Sequence, residues 1–261
     1  MLKISKVIIH PEPTVPEIRI AEIQKFVADT FSIKVELRKS FFTHPNERMV
    51  EKIATTRIFE LKKRFRKHTP SIEDIQIERE NRETTHDETA TLYDGFEMQK
   101  VITEFIPADE KMEDVLHIIF TNKTTCTFDE EEDYRYHARA LIGSNPAIIS
   151  TTGIIEAPAK PKQYYLDLMT CFSKEEAKQI KEKYKGEFLE FHDSRLHEIA
   201  EGYVLQSIMY YETGEAFCDD KSCRLFNAHW QKDLFYSQII NRKFCKRHSE
   251  IMNGLKNKTQ S

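Results

Sequence analysis

Three cysteines and one histidine near the carboxyl end most strongly constrain what this 261-residue chain can fold into. Cys218, Cys223, Cys245 and His248 follow the spacing C-x4-C-x21-C-x2-H. Two close pairs of soft donors separated by a loop can surround one tetrahedral zinc ion; three unrelated thiols and a terminal histidine are the alternative. Four protein ligands leave no open coordination position, so the spacing predicts a structural zinc site. The histidine favours zinc over an iron–sulfur cluster.

The overall charge argues against a polyanion as partner. The chain has 39 basic and 43 acidic residues, for a net charge of −4, and therefore no global basic field. Hydrophobic residues make up 39% of the chain, which is enough to build a core. The basic segments 57–67 and 242–247 leave nucleic-acid binding as the weakest of the alternatives.

Two observations predict a cytoplasmic location without membrane insertion. No apolar run approaches the roughly 18 residues that are needed to cross a bilayer. The first 13 residues, MLKISKVIIHPEP, have a short apolar stretch that prolines soon interrupt, which does not match a secretion signal. Five cysteines in a cytoplasmic chain of this length do not indicate a disulfide framework.

The first 40 residues predict a β-α-β unit. Residues 3–10 form a β-branched run that ends at Pro11, and residues 33–37 alternate apolar with polar side chains, so both predict strands. Between them, residues 16–31 repeat apolar side chains every three to four positions, which predicts a helix. This opening favours an α/β (α+β) fold with a mixed, partly parallel sheet.

Three later segments complete the N-terminal part. Residues 114–122 predict a central strand, and two strands joined across residues 143–146 predict a hairpin at one edge of the sheet. A second helix is predicted at 47–67, and its basic run is interpreted as a solvated helix face rather than a phosphate or nucleic-acid patch. The polar residues 78–91 predict a loop.

The predicted secondary structure changes after a short proline-containing connector at 157–163. Before it, residues 1–156 predict the α/β part; after it, residues 157–261 predict a mainly helical, zinc-binding part that carries the chemistry. We interpret the two parts as one continuous domain of the catalytic type.

A second metal-like pattern lies on a predicted helix that ends at Gly214. His197 and Glu201 are one turn apart on this helix, a spacing that lets two side chains bind one metal ion. Glu198 would then be placed as the general base for a metal-bound water. An ordinary charged helix face would explain the same three residues. A third ligand would have to come from elsewhere, and the candidates are His192, Glu212, Glu215 and His229.

The order of these motifs resembles the archaemetzincins, a branch of the metzincin zinc metallopeptidases. The resemblance rests on a His-Glu helix, then a Cys-x4-Cys pair, then a final Cys-x2-ligand pair, and is most specific in the C-terminal third. It implies a metzincin-like fold. It also implies a catalytic zinc bound by His-Glu-x-x-His-x-x-Gly-x-x-His, and a structural zinc bound by four cysteines.

The resemblance carries over to some residues and not to others. His197 and Glu198 match the first catalytic ligand and the general base. The three cysteines of the C-terminal set match structural-zinc ligands, and His248 stands at the fourth position. Three residues depart from the catalytic pattern, replacing the second histidine, the glycine and the third histidine: Glu201, Val204 and Ser207.

Two functions from different classes follow. The first is a zinc-dependent metallopeptidase that acts on a peptide or protein substrate, with one structural and one catalytic zinc ion and Glu198 activating water. The alternative is a catalytically inactive metzincin-like protein that keeps the structural zinc and serves as a binding or scaffold module. A third ligand converging on His197 and Glu201 would distinguish the first from the second.

Overall fold

The computed structural model describes residues 2–43, 45–80, 91–131 and 133–257. Nine strands occur in these ranges: β1 Lys6–His10, β2 Lys34–Leu37, β3 Arg57–Ile58, β4 Leu92–Asp94, β5 Val115–Thr121, β6 Thr124–Asp129, β7 Arg135–Ala138, β8 Leu141–Ile142 and β9 Ala147–Ser150. Ten α-helices occur in the same ranges: α1 Ile20–Phe31, α2 Glu47–Ala54, α3 Ile72–Glu80, α4 Gly95–Phe105, α5 Thr151–Glu156, α6 Lys162–Met169, α7 Lys174–Lys183, α8 Leu196–Thr213, α9 Gln231–Phe235 and α10 Lys246–Asn257. A 3-10 turn at Ala108–Glu110 and a π-helical segment at Tyr236–Asn241 complete the described elements.

The first sheet has five strands in the order β2-β1-β5-β9-β8. Strands β2, β1, β5 and β9 are parallel, and β8 is antiparallel to β9 at the edge. The predicted β-α-β opening, the central strand β5 and the edge hairpin β8–β9 are therefore confirmed. The mixed α/β class and the helical C-terminal part are confirmed as well.

A second mixed sheet has the order β3-β4-β6-β7, although the sequence predicted only one sheet. The prediction missed it because its strands are short, between two and six residues. The C-terminal half of the helix predicted at 47–67 is instead the edge strand β3 and an irregular segment after it. That helix ends at Ala54, where Thr55 and Thr56 bond back to the carbonyls of Lys52 and Ile53.

Two other predictions are corrected. Residues 151–156, predicted as the end of a strand, form α5, because the Ser150 side chain accepts a hydrogen bond from the Gly153 backbone and caps a helix there. Of the predicted loop at 78–91, residues 78–80 are the end of α3, and residues 81–90 lie outside the described part of the chain.

The first sheet is covered on both faces. Val7 and Ile118 belong to the face that packs against α1 and α8. Ile119 and Ile148 belong to the other face, which packs against apolar residues of α2 and α4 such as Met98. Because helices cover both faces, the strands read as nearly continuous apolar runs.

Helix α8 runs through the interior of the molecule. Every residue from Leu196 to Met209 is buried except Glu198, which is half-buried. The helix ends where predicted, at Gly214, whose left-handed φ of 81° favours glycine and whose N–H donates to the Tyr210 carbonyl. The core around α8 contains residues from both 1–156 and 157–261. The division at residue 156 stays a prediction.

Within the described ranges, no helix combines the length and apolar character that a membrane crossing requires.

Candidate metal centre and the neighbouring charge cluster

The four predicted ligands of the C-terminal Cys/His set come together in space. Their donor atoms all lie within 4.8 Å of one another. The Cys218 and Cys245 sulfurs are 3.9 Å apart, and His248 Nδ1 is 3.5 Å from the Cys223 sulfur and 3.2 Å from that of Cys245. Zn–S bonds of about 2.3 Å place tetrahedral ligand atoms roughly 3.4–3.8 Å apart. The donor set therefore fits one zinc ion in both chemistry and spacing.

Two local segments present these ligands. Cys218 and Cys223 lie in a tight turn, closed by a hydrogen bond from Cys218 N to the Leu225 carbonyl. Backbone N–H groups of Asp220 and Leu225 point at the Cys218 and Cys223 sulfurs, at 3.4 and 3.5 Å, as donors to a thiolate would. The other pair lies at the start of α10, where Cys245 and His248 are three residues apart and therefore share one face.

Without a cation, this site favours protonated thiols. Burial raises the pKa of the Cys223 thiol to about 12 and also raises the pKa of Cys218. Burial lowers the pKa of His248, so its imidazole is neutral and can act as a ligand. A bound divalent cation reverses the preference of the thiols, because metal ligation deprotonates them outright. The thiolate form of these cysteines therefore requires a bound cation.

The His-Glu helix places its two predicted metal ligands side by side, but other partners hold them. His197 Nε2 is 3.6 Å from Glu201 Oε1 and 3.3 Å from Glu22 Oε2 of α1. Glu201 Oε2 accepts hydrogen bonds from Arg224 Nη2 at 2.9 Å and from Arg242 Nη2 at 2.7 Å. Two guanidinium groups thus already neutralise the carboxylate that would bind the metal.

The charges around His197 balance without a metal ion. Burial, followed by the nearby Arg19, lowers the pKa of His197, so the imidazole is neutral. We call the surrounding six residues the charge cluster, which comprises the carboxylates Glu22, Glu198 and Glu201 and the guanidiniums Arg19, Arg224 and Arg242. A divalent cation added to this set would leave two uncompensated charges beside the buried Glu201–Arg224 pair, where an unpaired charge is costly.

The four candidates for a third ligand do not join His197 and Glu201. His192 bonds to Glu17 through Nδ1 at 2.9 Å, and the side chain of His229 is exposed. Glu212 lies at the far end of α8, where it accepts hydrogen bonds from the backbone of residues 3 and 4, and Glu215 pairs with Arg247. Among the described residues, neither His197 nor Glu201 belongs to a group of three ligand atoms within 4.8 Å. The residues present do not fit a catalytic zinc ion.

Sequence reasoning missed the three partners that hold this pair. Glu22, Arg224 and Arg242 lie 175, 23 and 41 residues from the helix residue that each contacts. Charged residues on exposed helix faces and turns are common, so nothing in the sequence singled them out. A weak signal was available for Arg224, because it directly follows the predicted zinc ligand Cys223.

Gly202 lets the π-helical segment approach α8. A Cβ atom at this position would lie 1.8 Å from Gln238 Oε1, and Gln238 is fixed because its Nε2 donates to the Arg224 carbonyl at 2.6 Å. We expect Gly202→Ala to lower the free energy of unfolding by about 1–3 kcal/mol in urea denaturation, as overpacked cores do.

The matched control for this variant is Gly254→Ala on α10. An added Cβ at Gly254 meets nothing within 4 Å. Alanine is there expected to be neutral or to stabilise by up to about 1 kcal/mol, because it is the better helix former. Equal effects of the two substitutions would show that the close approach at Gly202 is unimportant for stability.

Comparisons with known proteins give one family and one solved structure. A model of the "Probable metallopeptidase family (DUF6775)" matches residues 3–255. No curated protein matches the chain. A crystal structure of a zinc-dependent peptidase from Methanocorpusculum labreanum (strain Z) is similar at 11% sequence identity and a TM-score of 0.47, over 95% of this chain and 100% of that one.

Proposed function

The chain belongs to this probable metallopeptidase family, and we propose that it is a member with one structural zinc ion whose His-Glu helix does not hydrolyse peptides. Its role is then that of a zinc-stabilised binding or scaffold module for a peptide or protein partner. The archaemetzincin-like order of its motifs is part of the same proposal. One observation carries it: two arginines hold the Glu201 carboxylate where a metal ligand would be needed.

The structural zinc rests on the geometry of the Cys/His set. Cys218, Cys223, Cys245 and His248 would hold the ion, and four protein ligands leave no position open for water or substrate. The ion supplies a cross-link between the turn at 218–223 and the start of α10. Such a site adds its binding free energy to the stability of the fold rather than taking part in a reaction.

A second candidate, a zinc-dependent peptidase, has two observations in its favour. The family as a whole carries that description, and Glu198 is the one residue of the Leu196–Met209 stretch that is not buried. A general base has to reach solvent and substrate, so this exposure suits that role. A peptidase would also require Glu201 to break its hydrogen bonds with both arginines. A third metal ligand would have to come close to His197.

Zinc content and peptide cleavage separate the two functions. Elemental mass spectrometry on the native protein and on His197→Ala is expected to give one zinc ion per chain in both. Digestion of a random peptide library with added zinc is expected to yield the same products for the native protein and for Glu198→Gln, namely none. Two zinc ions in the native protein, one in His197→Ala, and cleavage abolished by Glu198→Gln would instead establish the peptidase.

A further inference from the structure

A cavity of about 210 Å³ lies beneath the segment that follows β3. We call residues 59–68 the basic loop; they carry the run FELKKRFRKH and form no regular element. Two contacts hold the loop in place: Tyr136 N of β7 donates to the Leu61 carbonyl at 2.9 Å, and the Phe59 ring meets the His68 ring edge-on at 4.8 Å. The basic loop is therefore a wall of the cavity and not a solvated helix face.

Two buried side-chain nitrogens at this cavity have no hydrogen-bond partner among the described residues. Arg57 has only 5% of its side chain exposed; its Nε donates to Glu78 at 2.8 Å and its Nη1 to Asp74 at 2.6 Å, but its Nη2 is unpartnered. His68 Nε2 is likewise buried and unpartnered. Both side chains line the cavity. A buried guanidinium N–H without a partner is rare and costly, so Arg57 Nη2 indicates a missing acceptor, to which His68 can donate as well in the tautomer with its proton on Nε2.

The lining of the cavity has a surplus of positive charge. Lys63 is paired with Glu60 at 2.6 Å, and Arg64 is paired with Glu130. Arg66 also lines the cavity, and no carboxylate partner for it occurs in the described ranges. The missing acceptor is therefore expected to carry negative charge, even though the protein as a whole is acidic.

We propose that this cavity binds the phosphate group of a phosphorylated small molecule. Arg57 and Arg66 both line the cavity, and arginine N–H groups match the several acceptor oxygens of a phosphate. The volume is below the roughly 300–1,000 Å³ of sites that enclose drug-sized ligands, so the phosphate enters and the organic part stays at the rim. Phe59, 67% exposed, offers that organic part an aromatic surface.

Isothermal titration calorimetry on the full chain tests this site with three probes: adenosine 5′-monophosphate, inorganic phosphate and adenosine. The nucleotide and inorganic phosphate are expected to bind saturably at one site per chain and to compete, and adenosine is expected not to bind. Equal binding of adenosine and the nucleotide would overturn the assignment, as would absence of saturable binding by both phosphates. A single-stranded RNA oligomer that binds while both phosphate probes do not would also overturn it.

Lysines of the basic loop supply a matched control. Lys63 lines the cavity, whereas Lys62 and Lys67 belong to the same run and do not. We expect Lys63→Gln and Arg66→Gln each to weaken phosphate binding by about tenfold, as loss of a hydrogen bond to a charged group does. Lys62→Gln and Lys67→Gln remove the same charge and are expected to change affinity less than about threefold, because their side chains do not line the cavity and act on it only through solvent. Equal losses in all four variants would reduce the site to a diffuse basic surface and contradict the proposal.

Discussion

Replacing Cys223 with serine is expected to remove zinc from the protein and leave it largely unfolded. Cys223 is fully buried and its sulfur lies 3.5 Å from His248 Nδ1, so serine cannot maintain the thiolate ligand set. Structural zinc sites in small peptides contribute on the order of 10 kcal/mol of binding free energy, and that free energy is part of folding. A whole domain is stable by only about 5–15 kcal/mol, so losing even half of the zinc contribution exceeds what many domains can tolerate.

Zinc content by elemental mass spectrometry and thermal unfolding by circular dichroism measure this outcome. The control is Cys171→Ser, because Cys171 is a free cysteine outside the Cys/His set and lies on the connection between α6 and α7. It is expected to keep one zinc ion and the native Tm. A chelator should lower the Tm of the native protein and of Cys171→Ser and leave the circular dichroism signal of Cys223→Ser unchanged. A Cys223→Ser protein with native zinc content would rule out this ligand set.

The second large effect is expected at Glu201, where alanine should lower the free energy of unfolding by about 3–5 kcal/mol. The substitution leaves the Arg224 guanidinium with 7% exposure and without its carboxylate, and breaking a buried pair in this way costs more than the pair contributes. Glu201→Gln should lie between alanine and the native protein, because an amide oxygen accepts a hydrogen bond from Arg224 but carries no charge.

Urea denaturation of these variants, with Glu198→Ala as the control, measures the effect. Glu198 belongs to the same helix and the same charge cluster but is only half-buried, so its removal should change stability by less than about 0.5 kcal/mol. Equal stability of Glu201→Ala and Glu198→Ala would show that the arginine pair does not stabilise the fold. If Glu201→Ala instead lost a zinc ion without losing stability, Glu201 would be a metal ligand.

The sequence predicted those parts of the fold and site that depend on short-range patterns. The β-α-β opening follows from the periodicity of adjacent segments. The Cys/His set follows from two local pairs, because the spacing within each pair is visible in the sequence. Helix α8 and its end at Gly214 follow from one continuous apolar pattern and a glycine stop. Local rules were sufficient in each of these cases.

Features set by long-range pairing could not be predicted in the same way. The helix predicted at 47–67 has good helical periodicity, but pairing of β3 with β4 across 34 residues determines the outcome. The neutralisation of Glu201 depends on Arg224 and Arg242. The sequence contains both arginines but does not indicate which carboxylate each one contacts. Charged residues do not recur at a fixed spacing along the chain. Their positions in the sequence therefore do not show which oppositely charged residue each one contacts.

Arg224 directly follows Cys223, so a zinc ion bound by the Cys/His set would also fix the residue that neutralises the buried Glu201. The ligand turn fixes the backbone that carries Arg224, whose N–H also donates to the Lys243 carbonyl at 2.7 Å, two residues before Cys245. Once free zinc exceeds the dissociation constant, each tenfold rise adds about 1.4 kcal/mol to the stability of the folded chain. Because arginines rather than a second ion balance Glu201, we expect this dependence to follow the first power of the zinc concentration.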